Sequence, residues 1–245
     1  MSVTDKLISL GTKIGAAKTH CNEALIAKGG TEASTLWEVG DRIGEISDWK
    51  QQLIDLIECD ITELDIPNDI SKIGDYAFTN RIYLSRVEIP DNITAINAYV
   101  FYNCSALTTI TIPDSVTSIG DAAFAYCLNL TNINFGDNSQ LQSIDGYAFN
   151  HCENLTTITI PQNVTSIGSY AFSYCPSFTS LILPRSSSIV SLGHARSFNG
   201  TPIASGTGYI YVPQALLSEY QSATNWSTYS AQFRAIEDYP EITGG

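Results

Sequence analysis

From residue 61 to residue 184 the apolar positions return on a fixed beat. Aligned on Pro67, Pro90, Pro113, Gly136, Pro161 and Pro184, the chain advances in steps of 23, 23, 23, 25 and 23 residues. Phe78, Phe101, Phe124, Phe149 and Phe172 keep the same spacing, as do Cys104, Cys127, Cys152 and Cys175. A fixed period of roughly 20 to 29 residues with several positions in register is the signature of a solenoid, in which each copy is one coil. The repeated residues are then those that face the next coil.

Within one period the pattern reads L-x-x-I-x-I-P-x-x-V-x-x-I-G-x-x-A-F-x-x-C. Residues 109–112 alternate polar and apolar, which predicts a short strand with one buried face. Pro113 ends that strand by removing a ladder donor. Gly120 is expected to give a permissive backbone where the chain turns into a short helical segment that carries Ala123, Phe124 and Cys127 inward. One coil cannot bury these residues alone, so neighbours must stack. The expected fold is α/β: a solenoid of five to six coils of 23 residues whose strands line up in one parallel sheet.

The phrase IP-x-x-VTSIG-x-x-AF-x-x-C resembles the BspA-like, Treponema-type leucine-rich repeats over about half the chain. The first coil departs from it with Arg81 at the Cys position, and the fourth has Gly136 for Pro and two extra residues in GDNSQLQSI. A bulged loop is expected there, with the coil unchanged. The resemblance implies surface recognition, adhesion or protein–protein contact without enzymatic activity.

The ends do not repeat. Leu7, Leu10 and Ile14, then Ile43, Ile46 and Trp49, then Leu53 and Leu56, recur at helical spacing, with Gly29 and Gly30 breaking the pattern. Residues 1–57 are read as a helical module that caps the first coil or attaches the chain to something else, and its helices are the expected route to a homo-oligomer. Residues 58–184 are the solenoid and 185–245 a C-terminal cap, with a strand at 209–212, a helix from Gln214 to about Tyr220 and a turn at Asn225 and Trp226. The stretch AKTHCNEALIAKGGTEASTLWEVGDRIGEI resembles N-terminal segments of tail-associated proteins of phages and prophages in gut bacteria.

Charge narrows the partners. A formal charge of -13 repels phosphate backbones, which argues against nucleic acid and anionic membrane surfaces. No run approaches the roughly 20 apolar residues of a membrane span. The first residues also lack an apolar stretch of signal-peptide length, so the expectation is a chain made in the cytoplasm that reaches the outside as part of a phage particle.

Candidate chemistry is sparse. The cysteine ladder puts sulfurs in a line inside the coils, where free Cys packs as a small hydrophobe, and a line does not make a tetrahedral metal site. His151 adjoins Cys152, but consecutive residues do not face each other on a helix. No cofactor motif is present, and no metal or catalytic site is expected. Asn-x-Ser/Thr triplets at repeat turns, such as those at Asn92 and Asn163, are read as turn chemistry.

Two surfaces remain. The strands' outward columns run from Glu63 and Asp65 through Arg86, Glu88, Thr109, Thr111, Asn132, Asn134, Thr157 and Thr159 to Ser180 and Ile182, and are polar and uncharged past the first two coils. The opposite side carries Tyr76, Tyr99, Tyr102, Tyr126, Tyr147, Tyr170 and Tyr174, a residue type that gives large contact area at low entropic cost, so these are the candidate binding surface. The expected function is a non-enzymatic module that recognises a protein or a cell-surface glycan, set on a phage or prophage tail. The alternatives are a bacterial adhesin that contacts host proteins and a structural spacer without a ligand.

Overall fold

The computed structural model describes residues 62–66 and 68–242. The expected N-terminal helical module, with Cys21 and Cys59, lies outside the described residues. The alternating segments form the front strands β1 (Glu63–Asp65), β2 (Arg86–Glu88), β4 (Thr109–Ile112), β6 (Asn132–Phe135), β8 (Thr157–Thr159), β10 (Ser180–Ile182), β12 (Tyr209–Val212) and β13 (Phe233–Ala235). They are parallel and in the register the period demands, as in Thr109 opposite Asn132 and Thr157 opposite Ser180. This front ladder is not one sheet, however: it is hydrogen-bonded as β1-β2, β4-β6 and β8-β10-β12-β13.

A second ladder was not anticipated from the sequence. The stretch that reads VTSI in coils 3 and 5, and ITAI, LQSI and IVSL in the others, supplies a two-residue strand, β3 (Ala95–Ile96), β5 (Ser118–Ile119), β7 (Ser143–Ile144), β9 (Ser166–Ile167) and β11 (Ser191–Leu192), and these five pair in parallel in coil order. Such strands are too short to show a period, so only the repetition of the coil makes them a sheet. The insertion in coil 4 is absorbed before β7, which still pairs with β5.

The expected helical segments around each Phe are chains of tight turns instead. Tyr99, Phe101 and Asn103 donate their N–H groups to the Asp121, Ala123 and Ala125 carbonyls of the following coil at 2.8–2.9 Å, and the same spacing recurs at Tyr147 and Phe149. A helix would spend those donors within itself. Here the backbone spends them on the neighbour, which gives the coils a third line of inter-coil hydrogen bonds.

Gly120 differs from its expected role as well. It has no positive φ; a Cβ there would sit 2.8 Å from the Ala98 nitrogen of the preceding coil. Gly168 meets the backbone of Asp145 and Gly146 in the same way. These glycines are required by close approach. Gly168→Ala is expected to force coils 4 and 5 apart and to cost about 1–3 kcal/mol, read as a lower urea midpoint at unchanged m-value.

The core is a row of stacked rings. Phe78, Phe101, Phe124, Phe149 and Phe172 follow one another at 5.4–5.5 Å, and all but the first are fully buried. Beside them the four thiols form a row of their own, each donating to a Phe carbonyl of a preceding coil: Cys104 to Phe78, Cys127 to Phe101, Cys152 to Phe124 and Cys175 to Phe149, at 3.1–3.3 Å. The row is closed at the C-terminal end by Phe198, against which Trp226 (5.9 Å) and Tyr229 (5.2 Å) pack. Trp226 Nε1 donates to the Val190 carbonyl at 2.7 Å, and Val190 N–H donates to the Tyr220 hydroxyl at 2.9 Å. The polar tips of the capping aromatics thus satisfy backbone groups of the last coil.

Candidate functional site

All seven tyrosines singled out from the sequence fall on the turn side of the coils, and the fold brings them into two aromatic groups, Tyr76, Tyr99, Tyr102, Tyr126 and Tyr174 with His151 in one and Tyr147 and Tyr170 with His194 in the other. Their positions are set by an unusual backbone. Residues two before each Phe (Tyr76, Tyr99, Ala122, Tyr147, Tyr170) and two after it (Asn80, Asn103, Tyr126, His151, Tyr174) have φ between 50° and 62°. A left-handed side-chain-bearing residue costs roughly 1–2 kcal/mol. The N–H bonds to the next coil and the ring contacts offset that cost and fix each side chain.

The first column stacks Tyr76 on Tyr99 (4.8 Å), is interrupted at Ala122, and resumes with Tyr147 on Tyr170 (5.1 Å) and His194 (4.9 Å). The second stacks Tyr126, His151 and Tyr174 at 4.5 and 4.8 Å, and Tyr102 bridges the two, tilted against Tyr99 and Tyr126. His151 and His194 were missed as members, although the place of His151 two after Phe149 is legible in the period. Burial and the neighbouring Asp121 carboxylate push the Tyr99 phenol above its ordinary value. Tyr170 and His151 are stacked on both sides, whereas Tyr76, Tyr147 and Tyr174 each stack on one ring among the described residues and are the most open, at 57%, 43% and 49% exposed.

The front face starts charged. Arg86 lies among Asp65 (2.8 Å), Glu63 (3.9 Å) and Glu88, and beyond it Thr109, Thr111, Asn132, Asn134, Thr157 and Thr159 are exposed and neutral. Ile182, read as the end of this outward column, is instead buried. The C-terminal strand β12 pairs with β10 there and carries half-buried or buried tyrosines beside it.

Between β6 and β8 the front ladder parts and leaves a groove of about 820 Å³, lined by both strands and by the loops 136–140 and 161–163. Behind it the coils stay joined, through the pairing of β7 with β9 and through Tyr147 N–H to the Ser169 carbonyl. Asn154 N–H to the Leu128 carbonyl (3.2 Å) and Asn163 Nδ2 to the Ser139 carbonyl (2.7 Å) close the two ends. Gly136, in the place of the repeat proline, lets the Asp114 carboxylate of coil 3 turn in against it, and one carboxylate oxygen is buried there without a hydrogen-bond partner. The amides of Asn92 and Asn163, both in Asn-x-Ser/Thr triplets, donate to backbone carbonyls of the preceding coil.

The thiols do not form a reactive centre. Burial pushes Cys104 and Cys175 up to about 12, and Cys127 and Cys152 well above the ordinary thiol range. A protonated, enclosed thiol is a poor nucleophile and ligand. His151 stands on the outer column between two tyrosines while Cys152 points into the core, so the adjacent pair shares no chemistry. Among the described residues no three His, Cys, Asp or Glu side chains are placed to hold a metal ion, and no helix is long and apolar enough to cross a membrane.

No curated protein matches the sequence. Among solved structures, a leucine rich cell surface protein from Faecalibacterium prausnitzii A2-165 is 31% identical over 49% of this chain and 38% of its own, with a TM-score of 0.40. The T. pallidum Leucine Rich Repeat protein is 24% identical over 64% of this chain and 60% of its own, with a TM-score of 0.45. The pneumococcal vaccine antigen PcpA is 18% identical over 71% of this chain and 40% of its own; its TM-score of 0.54 shows a shared fold alone. This chain therefore spans between 38% and 60% of the length of these proteins. The model of the BspA type leucine rich repeat region matches residues 56–179 and 138–205, with six copies. That span takes in more than half of the chain and every front strand from β1 to β10, so the stacked coils, their phenylalanine row and their thiol row belong to a protein of the BspA type leucine rich repeat family.

Proposed function

We propose that this chain is a non-enzymatic recognition module that presents a preformed solenoid surface to a protein or a cell-surface glycan, carried on a phage or prophage tail. The observation that carries the reading is rigidity. Coils joined along the rear strands and the turns, and along the front strands where these pair, hold each outward side chain in place before a partner arrives, and a surface that needs no ordering keeps more of its contact energy as affinity. The exposed Tyr76, Tyr147 and Tyr174 and the neutral Thr/Asn face are the two patches available for contact. Membership of the BspA type family supports protein binding or adhesion as the class of function, and the tail setting rests on the resemblance of the N-terminal stretch.

The test is a pull-down with the full chain against gut-bacterial envelopes and, separately, against phage structural proteins, read by mass spectrometry. Capture of particle components together with an envelope component supports the tail module. Envelope or host protein without particle components moves the setting to the bacterial surface, as an adhesin. If neither mixture yields a specific component, the spacer reading takes over.

A further inference from the structure

We propose that the Asn199-Gly200 step is a site of self-modification, at which the Gly200 backbone nitrogen displaces ammonia from the Asn199 side chain and water then opens the ring to aspartate and isoaspartate. The chemistry needs no partner protein, and only its consequence for Tyr174 rests on reading the solenoid as a recognition module.

This is the one Asn-Gly step in the sequence. Both residues are exposed, and among the described residues neither the Asn199 carboxamide nor the Gly200 N–H makes a hydrogen bond, so the attacking nitrogen and the carbon it attacks are both free. Other asparagines followed by a small residue lack that freedom. Ala98 N–H donates to the Asp75 carboxylate at 3.2 Å and Asn97 Nδ2 to the Ile73 carbonyl, while Ser139 N–H donates to the Gly136 carbonyl at 3.1 Å. Gly200 stands third in the turn that Thr201 N–H closes on the Phe198 carbonyl at 3.2 Å, with a φ of 75° that glycine adopts without strain. Without a Cβ it leaves the approach to its own nitrogen open. The attack closes a five-membered ring within one chain, so no encounter between separate molecules slows it.

In the first step Gly200 N bonds to Asn199 Cγ, the Cγ–Nδ2 bond breaks, and the proton lost by Gly200 N leaves with ammonia. Water then cleaves the ring at one of its two carbonyls. Cleavage at Cγ gives aspartate with the chain unaltered. Cleavage at the Asn199 main-chain carbonyl gives isoaspartate, in which the chain runs through Cβ and Cγ and is longer by a methylene. That carbonyl is the one that holds Tyr174: it accepts Tyr174 N–H at 2.6 Å, and Gly200 lies so close that a Cβ on it would be 3.2 Å from Tyr174 Cδ1. The ring closes when a local opening of this bond lets the Asn199 peptide turn. In isoaspartate the same carbonyl has become a free carboxylate outside the chain. The column of Tyr126, His151 and Tyr174 then loses the backbone bond that fixes its end, and gains a negative charge beside its open ring.

The experiment ages the full chain at pH 8, folded and in urea, and follows each asparagine by peptide mass spectrometry, with isoaspartate methyltransferase marking the isoaspartate. In the folded chain Asn199 should convert at least tenfold faster than any other asparagine of residues 62–242, with isoaspartate the major product, and Asn199→Gln should stop it. In the isolated isoaspartate form the Tyr174 amide should exchange with solvent at least tenfold faster than in fresh protein. In Asn199→Asp, which carries the charge without the methylene, that amide should stay protected. If Asn199 converts in urea but stays intact in the folded chain over the same time, the turn is locked against ring closure and the proposal is overturned. Equal protection of the Tyr174 amide in the fresh and isoaspartate forms overturns the consequence for the surface. Both results leave the recognition module standing, because its pull-down is read on fresh protein.

Discussion

Phe124→Ala should destabilise the chain by about 3–5 kcal/mol, measured as a fall in the urea midpoint. The ring is fully buried and stacks at 5.4 Å on Phe101 and 5.5 Å on Phe149, so its loss empties a ring-sized space between two neighbours that the coil spacing prevents from closing. Position in the row sets the size of the effect. In a solenoid, stability is a sum over coils and their interfaces, so a lesion in the middle weakens two interfaces and one at the end weakens fewer. Phe78, 3% exposed and stacked among the described rings on Phe101 alone, is the comparison: Phe78→Ala should cost clearly less. Equal losses at the two positions would mean that the row does not act as a chain of neighbours. A loss below about 1 kcal/mol for Phe124→Ala would mean that the coils relax into the space.

Why the coil was legible and its interior path was not comes down to length of signal. The period needs only spacing, and five phenylalanines and four cysteines in register supply it. Front strands of three or four residues still show alternation, as in Thr109 to Ile112. A two-residue strand such as Ser118–Ile119 shows none. The segment around Phe124 misled in another way. Ala, Phe and Cys at inward spacing fit a helix, but the deciding feature is the positive φ at Ala122 and Tyr126, which turns alternate N–H groups toward the next coil. Tyrosine is not a residue that announces such a conformation, and glycine, which does, stands at 120 and 168 for want of room.

The candidate surface was legible as a set of positions and illegible as chemistry. Seven tyrosines in register do share a side, yet the period does not say which rings are sandwiched and which end a column, and the histidines of the same columns carry no motif. The groove was not legible at all: the period predicts one continuous front ladder, and only the separate pairing of the front and rear strands shows that the front one parts between β6 and β8 while the rear one stays closed.

Raising the pH above about 9 should unfold the chain steeply, because the thiol row is a store of protons that only the folded state keeps. The thiols of Cys104 and Cys175 are pushed up to about 12 by burial, and Cys127 and Cys152 well up, against an ordinary value near 9. Below pH 9 both states hold the proton and no pH dependence arises from this source. Above it the unfolded chain releases the proton while the folded chain retains it, so the unfolded state binds fewer protons and stability falls as pH rises, by about 1.4 kcal/mol per pH unit for each thiol. The fall continues toward pH 12 for Cys104 and Cys175. The buried phenols of Tyr220 and Tyr229, also raised, add to it with the same sign from about pH 10. Urea midpoints at unit steps from pH 7 to pH 11 measure the slope. In Cys127→Ser with Cys152→Ser, hydroxyls can still donate to the Phe101 and Phe124 carbonyls but do not titrate, so the curve should flatten by about two thiols' share while the midpoint at pH 7 moves far less. A profile that stays level to pH 11, or a serine pair that leaves the slope unchanged, would show that the sulfurs reach water in the folded chain and that the coils open along the turns rather than holding as one row.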